Sequence, residues 1–359
     1  MGTHKSNQIS RRAMLGYLGA TAAMGSGLLA FPSVVTAQGG AKVEKENLKM
    51  VLDWAFQGPQ AIFTAAQDHG IFKEHGVDVN VDRGNGSTDA VVKVASGAYD
   101  VGWAEMSSIV QYNIKNPDNP ITAFYVTNEN TANSVISTKD KSIAGPKDLV
   151  GKKVGSTAGS AARDIFGAFA AANDIDAEKV EMVTVTGALR ETMLVNGDVD
   201  AILGAITSSV LDIKSLGVPL EDIVIMTYGD FGVPLYGHSL FTTAEFAQKN
   251  PGTVAALVRA TNAALQSAIR DEQKTVETLK SRDKLVNLDL EKERLGLMLD
   301  RLVLTDYVRA NGLGSVRPDR VQATIDIISD AYNVTDRPKP ELVYSAEFLP
   351  ASEERAVPK

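Results

Sequence analysis

Two carboxylates stand beside the only two tryptophans of the chain: Asp53 precedes Trp54 in "LDWAFQG", and Glu105 follows Trp103 in "DVGWAEMSS". Both sit where a short apolar run gives way to a helical pattern. A carboxylate so placed can serve as a general base, ligate a metal, or accept hydrogen bonds from a bound molecule. The first two roles need companions. With no cysteine in 359 residues, thiolate nucleophiles, cysteine-based zinc sites and disulfides are excluded. His69 and His75 flank one helix end at a spacing that does not share a face, His4 lies near the N-terminus, and His238 falls in "GHSLF". No metal pair results. Neither "GSTAG" nor "GHSLF" is a nucleophile elbow, no Walker A sequence occurs, and "GNGSTD" lacks the third glycine of a dinucleotide fingerprint. No catalytic residue, metal or cofactor is expected. The carboxylates are read as acceptors for an amino group or ring N–H, with a salt bridge or helix cap as the alternative for Glu105.

Other side chains could hold a ligand. "GNGSTDA" (84–90) and "GSTAGSAA" (155–162) set Asn85 and Ser87, then Ser156, Thr157 and Ser160, at helix starts, where free N–H groups favour an anion or polar edge; plain N-capping by Ser87, Thr157 or Ser160 is the competing role. Trp54 and Trp103 could stack on a planar ligand, each contributing about 1 kcal/mol beyond buried area, or belong to the core. Gln57 shares the loop of Asp53 and Trp54, and Tyr236 could add an aromatic wall. Arg190, in "GALRET", suits a ligand carboxylate or sulfonate, or is a surface charge beside Glu191.

These residues need elements to carry them. "VASGAYDVGWA" (94–104) matches "LVNGDVDAILGA" (194–205), with Gly97 over Gly197 and Asp100 over Asp200. Each follows a strand, a glycine-containing turn and a short helix. Apolar runs alternating with helical periodicity predict βαβ units and parallel sheets, so the duplication predicts two similar α/β lobes. After Tyr228 an aromatic, glycine-rich link leads into long helices, the first from Pro251, expected to pack back on the first lobe. The chain then crosses between lobes twice, near 130–135 and 232–237, which makes a hinge.

Composition is ordinary for a globular protein, 44% hydrophobic and 22% charged, with a formal charge of −8. Ser10-Arg11-Arg12 precedes an uncharged run to Gly40 that contains Val35-Thr36-Ala37. This reads as a twin-arginine export signal, cleaved near Ala37, so a periplasmic location is expected. Losing Lys5, Arg11 and Arg12 with the signal makes the remainder more acidic, a poor partner for nucleic acid.

"LDWAFQGPQAIFTAAQDHGIFKEHGVDV" (52–79), "GNGSTDAVVKVASGAYDVGWAE" (84–105) and "SIAGPKDLVGKKVGSTAGSAARDIF" (142–166) together resemble the SsuA/THI5-like (NMT1-like) solute-binding proteins of ABC importers. The resemblance implies a two-lobed type II periplasmic-binding-protein fold, a Venus flytrap with ligand between the lobes. It divides the chain into the signal (1–37), lobe I (47–134 and 236–359) and lobe II (135–235). It also implies a small organic ligand, an ABC permease and its ATPase as partners, and a monomer. Asp53-Trp54 resembles the THI5-like side, implying a thiamine-precursor pyrimidine or other planar aromatic; a sulfonate, taurine or nitrate is the alternative. Some THI5-like members are pyrimidine synthases that use a lysine, a histidine and a cysteine-rich motif. Here Ala104 and Ser108 fall at the lysine and histidine positions, which speaks against an enzyme.

Overall fold

A computed structural model of the chain describes residues 42–359; the stretch read as an export signal falls outside the described residues. Ten strands form two five-stranded sheets. The first has the order β2 (Asp78–Asp82), β1 (Asn47–Val51), β3 (Val101–Glu105), β10 (His238–Thr243), β4 (Ile121–Val126). The second runs β7 (Glu181–Thr184), β6 (Lys153–Ser156), β8 (Ala201–Ala205), β5 (Asn133–Thr138), β9 (Ile223–Thr227). In each sheet the first three strands are parallel, and the fourth runs antiparallel to both neighbours.

The duplication is visible atom by atom. Asp100 accepts the Lys49 N–H at 2.9 Å and returns its own N–H to the Lys49 carbonyl. Asp200 does the same with Lys153, accepting at 2.8 Å. Each aspartate thus satisfies a backbone donor at the open end of a parallel ladder, where no strand partner reaches. The preceding turns hold Gly97 at φ +76° and Gly197 at φ +84°, where a Cβ is disfavoured.

The parallel cores agree with the sequence; the antiparallel strands exceed it. Residues 127–132 carry the chain from β4 into β5, and 228–237 return it from β9 into β10. Each crossing delivers the antiparallel strand of the sheet it enters. β3 and β4, enclosed on both faces, are buried throughout. Pro251 opens the 20-residue helix Pro251–Arg270, whose first N–H groups at Gly252 and Thr253 donate to the Glu44 carboxylate. That helix packs on Ala61–Asp68 as expected, whereas Pro318–Ala331 packs on Met106–Lys115 and also on Phe166–Ala172 beside the second sheet. No helix among the described residues is long and apolar enough to cross a membrane.

Candidate functional site

The C-terminal ends of β1 and β3, the start of β10 and the first crossing meet the loops of the second sheet around a cavity of about 60 Å³. Its lining includes Asp53, Trp54, Gln57, Ser87, Trp103, Glu105, Ser160 and Arg190 from the sequence reading, together with His238, Gln60, Asn128 and Asn133. Trp54, Gln57 and Arg190 also line an outer cleft of about 870 Å³, where Asn85 and Thr157 are found. Ser156 and Tyr236 line neither cavity.

At the inner end the imidazole of His238 lies between two carboxylates. Its Nε2 is 2.8 Å from Asp53 Oδ2 and its Nδ1 is 3.3 Å from Glu105 Oε1. The register His238↔Glu105 on β10 and β3 makes this contact unavoidable once the strands pair. Trp103 backs the imidazole, with ring centroids 4.2 Å apart, and donates its Nε1–H to Thr127 Oγ1 at 2.8 Å. The indole is therefore core and cavity floor together.

Glu105 holds the first crossing as well. Its Oε2 accepts the Thr131 hydroxyl at 2.9 Å and its Oε1 accepts the Ala132 N–H at 3.3 Å. Burial pushes its carboxyl above the usual range, against the opposing pull of His238 and these two hydrogen bonds. Burial pulls His238 down, but the charges of Asp53 and Glu105 and the hydrogen bond to Asp53 outweigh it, leaving the imidazole above its ordinary value. Both groups thus hold protons more tightly in the folded chain.

The second lobe's wall differs from both readings of Arg190. The side chain is buried, with Nε and Nη2 bonded to Glu191 Oε1 at 2.9 and 2.5 Å and Nη2 also to Ser209 Oγ at 2.7 Å. It is neither a surface charge nor an uncommitted anion receptor. Its guanidinium lies 5.6 Å from the Trp54 ring centroid, a cation–π arrangement across the cleft. Trp54 also touches Gly187, where a Cβ would come within 2.5 Å of the indole.

Ser160 caps its helix by accepting the Arg163 N–H, and Ser87 accepts the Glu105 N–H at 3.2 Å, so the capping role holds for the former only. Tyr236 is fully buried at the second crossing, under the Arg320 guanidinium, with its hydroxyl accepting the Arg317 N–H at 2.7 Å. It faces the helix Pro318–Ala331 rather than the cavity, because the crossing turns its side chain away from the lobes' facing loops. His69 is exposed, and His75 bonds its own helix at the Ile71 carbonyl.

Several functional candidates were not legible before the fold. Gln60 donates to Asp53 Oδ1 at 2.9 Å and leaves its own Oε1 unpartnered and buried. Asn128 Oδ1 and Asn133 Nδ2 are likewise buried without a protein partner. Three amides among the cavity-lining residues thus each carry a buried polar atom that no protein group pairs, two acceptors and one donor. The only sequence signal was the amide-rich crossing "TNENTANS", read there as hinge.

Two mixed α/β lobes joined by two crossings, with the site between them, make up the two-lobed periplasmic-binding-protein fold. The chain belongs to the NMT1/THI5-like family, whose model matches residues 59–275. It is 24% identical over 263 residues to a formylaminopyrimidine-binding protein of Halalkalibacterium halodurans, covering 72% of this chain and 78% of that one. A solved structure from Bordetella bronchiseptica RB50 superposes with a TM-score of 0.70 at 22% identity, covering 86% of this chain and 97% of that one. The alkanesulfonate-binding protein SsuA from Xanthomonas axonopodis pv. citri, bound to MOPS, gives a TM-score of 0.65 at 14% identity, covering 84% and 98%.

Proposed function

We propose that this protein is the exported solute-binding component of an ABC importer and captures a thiamine-precursor aminopyrimidine between its lobes. The observation that carries the reading is the set of unpartnered amide groups of Gln60, Asn128 and Asn133 in a cavity walled by Asp53 and Glu105. A buried polar group without a partner costs about 1–3 kcal/mol, which a ligand that pairs it recovers. An aminopyrimidine edge carries amino donors beside ring-nitrogen acceptors, so it can answer both kinds of vacancy. Trp54 supplies the stacking face. A sulfonate or nitrate would meet two carboxylates and an arginine already engaged by Glu191. The formylaminopyrimidine-binding relative supports the same class.

In this reading the protein binds and does not react. The site's acids and histidine are committed to one another, and Ala104 and Ser108 replace the synthase's lysine and histidine. The chain divides as signal 1–37, lobe I 47–134 with 236–359, and lobe II 135–235. It works as a periplasmic monomer that hands its ligand to a permease and its ATPase. The inner cavity, about 60 Å³, shares Trp54, Gln57 and Arg190 with the outer cleft of about 870 Å³, so the ligand's polar edge sits in the inner cavity while its ring reaches into the cleft.

A thermal-shift panel on the signal-free chain, refolded to strip carried ligand, tests the class. At 100 times its dissociation constant a formylaminopyrimidine should add about 2.7 kcal/mol, with tryptophan fluorescence quenched in the wild type and little changed in Trp54→Ala. A shift from taurine, alkanesulfonates or nitrate alone, with none from pyrimidines, would overturn the reading.

A further inference from the structure

Among the contacts that bridge the lobes is one made by a fully buried charged side chain. Helix Leu288–Met298 packs on Glu272–Glu277, which packs on the first lobe's helices Ala61–Asp68 and Pro251–Arg270. From it Arg294, 1% exposed, reaches the π-helical turn Ile206–Val210 that follows β8 in the second lobe. Its Nη1 donates to the carbonyls of Thr207 at 3.2 Å and Ser208 at 2.7 Å, and its Nη2 to Asp212 Oδ1 at 2.5 Å. Its Nε is 3.2 Å from Glu291 Oε1, and the other Glu291 oxygen accepts the Gly58 N–H at 2.6 Å in the first lobe's ligand loop. Thr207, Ser208 and Met298 themselves line the inner cavity. The preceding residue, Glu293, pairs with Lys214 of the second lobe at 2.7 Å.

We propose that Arg294 is the latch of the closed state, a positioning residue that grips the second lobe's cavity turn and so sets how long the lobes stay shut. The reasoning is one of satisfaction. The planar fork of an arginine can serve two carbonyls and two carboxylates at once, an arrangement no lysine reproduces. When the lobes part, the Thr207, Ser208 and Asp212 contacts are broken while the Glu291 contact, within one helix, persists. The released groups are then met by water. Opening therefore breaks three charge-assisted hydrogen bonds of Arg294 at the cavity's edge, and the latch adds stability to the closed form alone. The Asp212 carboxyl, raised by burial and pulled back by Arg294, agrees with a pair built to be shielded.

This inference rests on the reading that the lobes close over a ligand, and its test separates the two. The absence of cysteine lets Val92→Cys and Leu220→Cys, exposed positions on opposite lobes, carry a fluorescence-transfer pair. Single-molecule dwell times are recorded without ligand and with a formylaminopyrimidine. Arg294→Lys, which keeps the charge and guards against misfolding, and Arg294→Met should shorten closed dwells about tenfold, with closing rates little changed. A purely structural role would lower the melting temperature and leave dwell times alone, which would overturn the latch, as would a wild type that never closes in either condition. If the pyrimidine fails to lengthen closed dwells, the ligand reading falls, and the ligand-free dwells still decide the latch.

Discussion

Gly86→Ala is expected to weaken capture of a formylaminopyrimidine about a hundredfold, while the ligand-free protein loses only the strain of one backbone position. Gly86 has φ +139°, a conformation costing a side-chain-bearing residue about 1–3 kcal/mol. That cost is paid whether the lobes are open or closed. The larger effect comes from the other lobe: a Cβ here would overlap the Gly159 carbonyl. The obstacle is backbone, so no rotamer relieves it, and the lobes must stand further apart. Parting them strains the Thr88 N–H bond to that same carbonyl and withdraws Trp54 from Gly187 and Arg190. Two such contacts at about 1–1.5 kcal/mol each amount to roughly a hundredfold.

Gly159→Ala is the matched comparison. It has φ +73°, where a side chain is also disfavoured, but its Cβ would meet nothing closer than the Asp89 nitrogen at 4.0 Å. Calorimetric titration of both variants, with melting curves of the free proteins, should separate them by affinity and not by stability. Equal losses of affinity in the two would show that backbone strain, and not the meeting of the loops, governs binding.

That meeting of loops marks how far the sequence could be read. The positions of "GNGSTDA" and "GSTAGSAA" at strand ends followed from hydrophobic periodicity, and laying the internal repeat over itself paired Asp100 with Asp200. Both are local patterns. What periodicity does not carry is strand direction or partner, and both antiparallel strands arrive from across the hinge. His238 was therefore one histidine in "GHSLF" until β10 paired with β3 and set it opposite Glu105. Tyr236, two residues earlier, looked like a pocket wall for the same reason that it is not one: the crossing's path decides which way it faces.

Arg190 teaches a related lesson. An arginine beside a glutamate in sequence reads as surface charge, and in a loop near a cleft as an anion receptor. The structure buries the pair, so its charge is spent internally and its flat guanidinium becomes a surface for Trp54. The amides at 128 and 133 were legible as polar residues in a crossing. Their significance, as unpaired groups in a closed space, exists only once burial is known.

The carboxylate–imidazole–carboxylate cluster should make the protein lose stability as pH rises above neutrality, and His238→Gln should remove most of that dependence. His238 is held above its ordinary value near 6.5 because Asp53 and Glu105 outweigh its burial. A group whose folded value exceeds its unfolded one binds protons more tightly in the native state. Its contribution is therefore complete below about pH 6.5 and is lost as pH climbs through the raised folded value. Glu105, raised chiefly by burial, acts in the same sense from its ordinary value near 4.3 upward, so the two groups do not cancel. Above the transition a neutral imidazole faces two buried carboxylates, and the Ala132 and Thr131 bonds of Glu105 must carry a charge they no longer share. In His238→Gln the amide cannot ionise, so denaturant midpoints from pH 6 to 9 should flatten relative to wild type. At pH 6 the variant should be less stable by about 3 kcal/mol, the cost of leaving a buried charge without its partner. An unchanged pH profile in the variant would mean that the buried Glu105, and not the imidazole, carries the dependence. The expected profile would instead make His238 a cation below the transition, held between the carboxyl groups of Asp53 and Glu105 that a ligand's amino edge would also meet.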